Sequence, residues 1–316
     1  MGPVSEFDWI SKYLKPIATS EGAMSLENDV GILASLPPDR PLIATMDTLV
    51  EGVHFFRGDP PETLGKKILR VNVSDILCNG AVPKEALLSV ALPDWFDEPR
   101  FERFCGGLGH DLAQWNVKLV GGDLVSTPGP LVLTMTVTGS CLSPNPVARS
   151  GAMVGDAVCV SGTIGAGYQG LDDAKAGRDS PFARHFRVPD IPAPEIAEIL
   201  SAHANAAIDI SDGLIAEAIH VGRASRKAIC LDMETVPWAR NCASVADMIE
   251  LGTGGDDYQV LMTLPESKLD IAIKDAASAG IRLTRIGHVA AGDELQLKHR
   301  GKIVPVPAKL GFVHGN

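Results

Sequence analysis

The chain has 316 residues, enough for two domains of ordinary size, and its 45% hydrophobic and 21% charged residues suit a globular protein with a large core. A formal charge of −11 without a basic run excludes nucleic acid as the expected partner, because that affinity rests on clustered Lys and Arg. No apolar run nears the roughly 18 residues of a membrane span. The N-terminal "MGPVSEFDWISKYL" lacks the basic and apolar regions of a signal peptide, so the expected location is the cytoplasm.

In chain order, "FDWISKYL" predicts a short helix and "SEGAMSLENDVGIL" a loop running into a strand. "PLIATM" is the next strand; Asp47 stands where its apolar run ends, and His54 follows seven residues later. A lone Asp beside a Thr caps a turn as readily as it serves a site. "DPPETLGKKILRVNVSDILCNGA" predicts the clearest helix, opened by a capping box of Asp59 and Glu62. On it Asn72, Asp75 and Asn79 share one face among Val71, Val73, Ile76 and Leu77, while Lys66, Lys67 and Arg70 supply solvation near its start. That stripe reads better as part of a site than as a solvated face.

"EALLSVALP" predicts a strand, "EPRFERFCGGLGHDLAQW" a helix, and "VKLV" a short strand ending at Gly121, Gly122 and Asp123. "LVLTMTVTG" alternates as a half-exposed or interface strand does. The prolines of "SPNPVARSGA" place a domain boundary near residue 146, giving domains 1–146 and 147–316.

The second half opens with the strand "DAVCVSG" and the glycine-rich turn "SGTIGAGYQG" before a helix. Such a turn can present N–H groups to a phosphate, but it does not match the Walker pattern, and a structural turn is the better reading. "AAIDISDGL" is an apolar strand carrying Asp209, Ser211 and Asp212 at its end, and "GTGGDDYQVLMTL" repeats the Gly-Gly-Asp theme at Asp256. Cys78, Cys105, Cys141, Cys159, Cys230 and Cys242 lie far apart with no Cys-x-x-Cys pair, the pattern of reduced core thiols.

Asp29, Asp47, Asp75, Asp123, Asp209 and Asp212 all border apolar segments, where side chains from different elements can meet. Converging carboxylates repel one another and imply bound cations. Oxygen ligands without His or Cys at zinc spacing select hard ions such as Mg²⁺, and Mg²⁺ shared with phosphate oxygens is the setting of nucleotide-dependent phosphoryl transfer.

"MDTLVEGVHF", "RVNVSDILCNGA", "LVGGD", "ARSGA", "AIDISDGL", "GGDDYQ" and "GFVHGN" together resemble, in order and spacing, the thiamine-monophosphate kinases. The resemblance implies a two-domain α+β fold like that of aminoimidazole ribonucleotide synthetase. Its N-terminal strands would form a barrel across a homodimer, and its C-terminal domain would be an α/β sandwich. It implies ATP-dependent phosphorylation of thiamine monophosphate to thiamine diphosphate. It assigns Asp29, Thr45, Met46 (by its backbone carbonyl), Asp47, Asp75, Asp123, Asp209 and Asp212 to Mg²⁺, with Asp47, Asp75, Asp123 and Asp212 at the centre of catalysis. Gly122, Asp123, Arg149 and Ser211 would contact ATP; His54, Asp256 and Phe312 would hold thiamine monophosphate.

Three positions depart from the family pattern. Asn28 precedes Asp29 where two aspartates are usual, Met46 replaces a Thr, and Asp256 is one methylene shorter than the usual Glu. Alternative readings are a diverged non-catalytic binder of thiamine phosphates or nucleotide, or a related ATP-dependent synthetase with another acceptor.

Overall fold

The computed structural model describes residues 9–26 and 39–312. The expected strand after residue 26, with Asn28 and Asp29, lies outside the described residues. The segment before it begins with a single π-helical turn, Ile10–Leu14, followed by a 3-10 turn, Glu21–Leu26. The chain divides into two compact units, Met1–Ile76 with Val82–Pro144, and Leu77–Ala81 with Asn145–Asn316.

In the first unit the elements are β1 (Leu42–Val50), α1 (Pro61–Cys78), β2 (Ala81–Leu92), α2 (Glu98–Gln114), β3 (Lys118–Ser126) and β4 (Val132–Cys141). They build a four-stranded sheet in the order β1-β4-β2-β3. β1 and β4 are antiparallel, from Leu42 opposite Ser140 to Val50 opposite Val132. β2 and β3 are parallel, which requires the crossover that α2 supplies. The alternation in β4 buries Leu133, Met135 and Val137 on an inner face beneath α1 and leaves Thr134 and Thr136 on an outer one.

β1 obeys the same period: Ile43, Thr45 and Asp47 face inward, and Leu42, Ala44, Met46 and Thr48 are exposed. Asp47 is therefore not at a strand end, as the apolar run suggested, but inside β1. The strand continues because Thr48, Leu49 and Val50 go on pairing with β4, with Thr48 Oγ1 2.9 Å from Thr134 Oγ1. Asp123 is likewise inside β3, which runs on to Ser126. The capping box at Asp59 and Glu62 also does not form. The helix begins at Pro61, the Asp59 carboxylate accepts from Phe56 N–H at 2.8 Å, and Glu62 pairs with Arg103 at 2.7 Å.

The second unit contains β5 (Asp156–Ser161), α3 (Ala166–Lys175), α4 (Pro181–Arg187), α5 (Ile196–His203), β6 (Ala206–Asp209), α6 (Leu214–Ser225) and β7 (Ala228–Asp232). After them come α7 (Val245–Gly252), β8 (Val260–Pro265), α8 (Leu269–Ser278), β9 (Leu283–Ala290), β10 (Gln296–His299) and β11 (Lys302–Val304). The seven strands run β11-β10-β7-β9-β5-β8-β6, antiparallel throughout except where β10 meets β7. β5 is buried along its whole length, and its Val158 and Val160 join Ile208, Leu214, Ile229, Leu231, Leu261 and Ile286 in the core. Both units are thus mixed α and β, as expected. Five of the six cysteines are buried, and none is joined in a disulfide. Among the described residues no helix is long and apolar enough to cross a membrane.

Candidate active site

On the inner face of β1 the residues singled out in the sequence come together. Thr45 Oγ1 donates to Asp75 Oδ2 at 2.6 Å, and Asp47 N–H donates to the buried Asn72 Oδ1 at 3.2 Å. The i, i+3 spacing on α1 places Asn72 and Asp75 on the same face, so one helix meets two alternate residues of one strand. Burial drives the Asp47 carboxyl up to about 7, with the Asp75 charge and a hydrogen bond to Asp75 adding to the rise. Two carboxylates so close hold a proton between them near neutrality unless a cation replaces it. Thr45, Asp47 and Asp75 offer only oxygen donors, which fits a hard divalent ion such as Mg²⁺. Asn79, the third member of the stripe, lies just beyond the end of α1, where its carbonyl accepts from Val147 N–H.

Asp123 does not join that cluster within this unit. It pairs with Ser89 and is exposed on the outer face of edge strand β3, next to Gly122. His54 closes the turn after β1. Its Nδ1 accepts from Val50 N–H at 3.0 Å, which leaves the proton of a neutral ring on Nε2, and its carbonyl accepts from Lys67 Nζ at 2.9 Å. Lys67, read from sequence as a solvating charge, is fully buried and anchors this turn.

In the second unit Asp209 ends β6 and is buried, while Ser211 and Asp212 form the turn into α6. Asp212 N–H donates to the buried Glu217 Oε1 at 3.3 Å. This turn gathers the distant segments: Asp256 N–H donates to Ser211 O at 2.9 Å, and Phe312 N–H donates to Asp212 O at 3.0 Å. Ser211, Asp212, Asp256 and Phe312 thus converge, with the Phe312 side 43% exposed. Arg149 is exposed in the segment that follows residue 144, and its carbonyl accepts from Ser225 Oγ at 3.4 Å.

The two Gly-Gly-Asp stretches are not equivalent, because the first lies inside β3 and the second is a loop before β8. The glycine-rich turn before α3 is structural. Its Gly165 and Gly167 N–H groups donate to the Asp257 carboxylate at 2.7 and 2.9 Å, so a side chain of the protein takes the place a phosphate would occupy. Burial pushes Asp257 up to about 6 against the opposing pull of those two N–H groups. Sequence reading passed over Asp257 and also the buried His185, whose Nε2 lies 3.1 Å from Asp256 O. The only signal for Asp257 is its place beside Asp256; "FARHFR" gives none for His185.

Residues 27–141 match the family described as AIR synthase related protein, N-terminal domain, and residues 153–300 match the corresponding C-terminal domain. The chain is 34% identical to the thiamine-monophosphate kinase of Caulobacter vibrioides over 99% of its own length and 92% of that protein. It belongs to the thiamine-monophosphate kinase family. Another member, from Haemophilus influenzae, is 29% identical over 98% of both chains. The thiamine-monophosphate kinase structure from Stenotrophomonas maltophilia superposes with a TM-score of 0.77 at 30% identity, covering 89% of this chain and 95% of that one. The structure of AaThiL complexed with AMPPCP and TMP gives 0.74 at 28% identity, covering 99% and 98%.

Proposed function

We propose that the protein transfers the γ-phosphoryl group of ATP to thiamine monophosphate, giving ADP and thiamine diphosphate, the last step in making that cofactor. The observation that carries this reading is the Thr45, Asp47 and Asp75 cluster, an oxygen-only donor set in a kinase family, with Asp47 held near neutral pH. The acceptor is itself an anionic phosphate and needs no general base, so transfer is direct and forms no covalent enzyme intermediate. Catalysis is then alignment of acceptor oxygen, γ-phosphorus and leaving oxygen.

Thr45, the Met46 carbonyl, Asp47 and Asp75 would hold one Mg²⁺, and Asp29, Asp123, Asp209 and Asp212 are assigned to further Mg²⁺, Asp123 from the opposite face of the sheet. When bound, the metal neutralises the charge of the two approaching phosphate groups. Gly122, Asp123, Arg149 and Ser211 are assigned to ATP. His54 would offer its Nε2–H to the acceptor, and Asp256 and Phe312 would frame it from the Asp212 turn. A relative complexed with AMPPCP and TMP supports the reading of a chain that takes a nucleotide and an acceptor together.

The outer face of the N-terminal sheet exposes Leu42, Met46, Leu87 and Val125, and among the described residues its edge strands β1 and β3 each have one neighbouring strand. Open edges beside exposed apolar side chains invite pairing with a second chain. We therefore propose a homodimer in which these sheets close into a shared barrel, acting in the cytoplasm.

Incubation with ATP, Mg²⁺ and thiamine monophosphate tests the activity, with ADP and thiamine diphosphate followed together by chromatography. Equal yields of both are the expected result. Nucleotide binding without diphosphate would instead favour a binder or another acceptor. Phe312→Ala removes the exposed ring expected to stack on the acceptor's heteroaromatic part, a loss on the order of 1 kcal/mol or more. KM for thiamine monophosphate should rise about tenfold while KM for ATP holds; equal changes in both would take Phe312 out of the acceptor site.

A further inference from the structure

The loop between α7 and β8 has an uncommon backbone conformation at Asp256 and Tyr258. Asp256 and Tyr258 are both left-handed, with φ of 65° and 50°. Side chains with a Cβ rarely adopt that region, an aromatic one such as Tyr258 least readily, so the conformation persists only where its surroundings dictate it.

Here the surroundings come from three elements of the second unit. The turn after β6 supplies Ser211 O and Ile210 O, which accept from Asp256 N–H at 2.9 Å and Tyr258 N–H at 2.8 Å. From α4 comes His185, 7% exposed, with Nδ1 accepting from Asp190 N–H at 3.3 Å. That bond leaves Nε2 to donate to Asp256 O at 3.1 Å. The opening turn of α3 supplies Gly165 and Gly167 N–H, both donating to the fully buried Asp257 carboxylate. A Cβ at Gly167 would lie 2.4 Å from both Asp256 C and Asp256 O, so α3 rests directly on the Asp256 peptide.

We infer that His185 and Asp257 are positioning residues that lock the Asp256 backbone and so aim its carboxylate at the acceptor. This inference rests on the proposed placing of Asp256 at thiamine monophosphate. An Asp reaches one methylene less far than the Glu usual in the family, so its aim depends more on where the backbone is fixed. The glycine-rich turn, which could have received a phosphate, serves instead as the anchor for that loop.

The test compares His185→Ala, His185→Gln and Asp257→Asn with the unmodified protein. His185→Ala should raise KM for thiamine monophosphate about tenfold, the equivalent of about 1.4 kcal/mol, with kcat and KM for ATP unchanged. His185→Gln retains a donor within reach of Asp256 O and should recover most of the loss. Asp257→Asn keeps one acceptor but turns its amide toward the second N–H, and should act in the same direction as His185→Ala. In an Asp256→Ala background, His185→Ala should change KM for thiamine monophosphate no further, whereas a merely structural role would add its full effect again.

Equal changes in both KM values, or full additivity in the double variant, would overturn the inference. Calorimetric titration with thiamine monophosphate separates it from the activity. An inactive parent protein that still binds the compound, and binds it about tenfold less tightly after His185→Ala, would refute the kinase reading and uphold the positioning role. A parent that does not bind it would refute both.

Discussion

Asp47→Asn should lower Mg²⁺-dependent turnover about a thousandfold or more while making the metal-free protein more stable at pH 8. The two effects have one cause. Burial and the neighbouring Asp75 raise the Asp47 carboxyl from 3.8 to about 7 in the folded chain. A carboxyl whose folded value is raised stabilises fully below its unfolded value, and that contribution is lost as pH rises through the folded value. From this group alone, stability of the metal-free protein should fall as pH climbs from about 4 to just above 7, by about 4 kcal/mol in all and by about 1.4 kcal/mol of that between pH 6 and pH 8. The amide cannot ionise and can still donate to Asp75, so the variant should show a flatter melting temperature between about pH 6 and pH 8. Added Mg²⁺ should raise the melting temperature of the unmodified protein above pH 7 and leave that of the variant nearly unmoved. Thermal melts with and without Mg²⁺, run beside the kinase assay, check all of this. A variant that is inactive but also less stable at high pH would show that Asp47 is a structural residue.

The second large effect is expected at Gly122. Its φ is 158°, and a Cβ built there would lie 1.8 Å from Leu88 O and 2.8 Å from Leu88 C. Those are main-chain atoms of β2, held by the parallel pairing of Leu88 with Gly122, so they cannot turn aside as a side-chain end could. Gly122→Ala must break the β2–β3 ladder locally, at a cost of about 3 kcal/mol or more. The melting temperature should drop by on the order of 10 °C. Gly121→Ala, whose Cβ would meet Leu87 Cδ2 at 3.1 Å, is the control and should be far milder. Similar melting temperatures for the two variants would refute this account of the strand.

What the sequence made legible follows from which signals survive local reading. The period in "LVLTMTVTG" comes from a strand with one face on the core, and it identified β4 and its buried Leu133, Met135 and Val137. The i, i+3 spacing of Asn72 and Asp75 was equally plain, because a helix fixes it whatever it packs against. The apolar runs before Asp47 and Asp123 stop short of the strands that carry them, so both residues read from sequence as strand ends. In β1 one face is exposed, so polar residues such as Thr48 continue the strand while the apolar signal stops. Lys67 was read as solvated because only tertiary structure brings the His54 carbonyl to it. The His185 and Asp257 clamp joins α4, α3 and the 254–258 loop across as many as 92 positions in the chain, a relation that no local pattern encodes.

The alternation of β1 bears on the departure at position 46. Met46 and Asp47 are neighbours in the chain, yet their side chains leave the sheet on opposite sides, with Met46 65% exposed on the outer face. A residue there can reach the carboxylate side only through its main chain, which every amino acid possesses. Exchange of a hydroxyl for a thioether at this position therefore leaves the inner donor set chemically intact. Its consequences fall on the adhesive properties of the opposite surface, where a long, pliable, polarisable side chain changes how the sheet meets whatever covers it. One strand thus carries two independently variable chemistries, separated by the width of its own backbone.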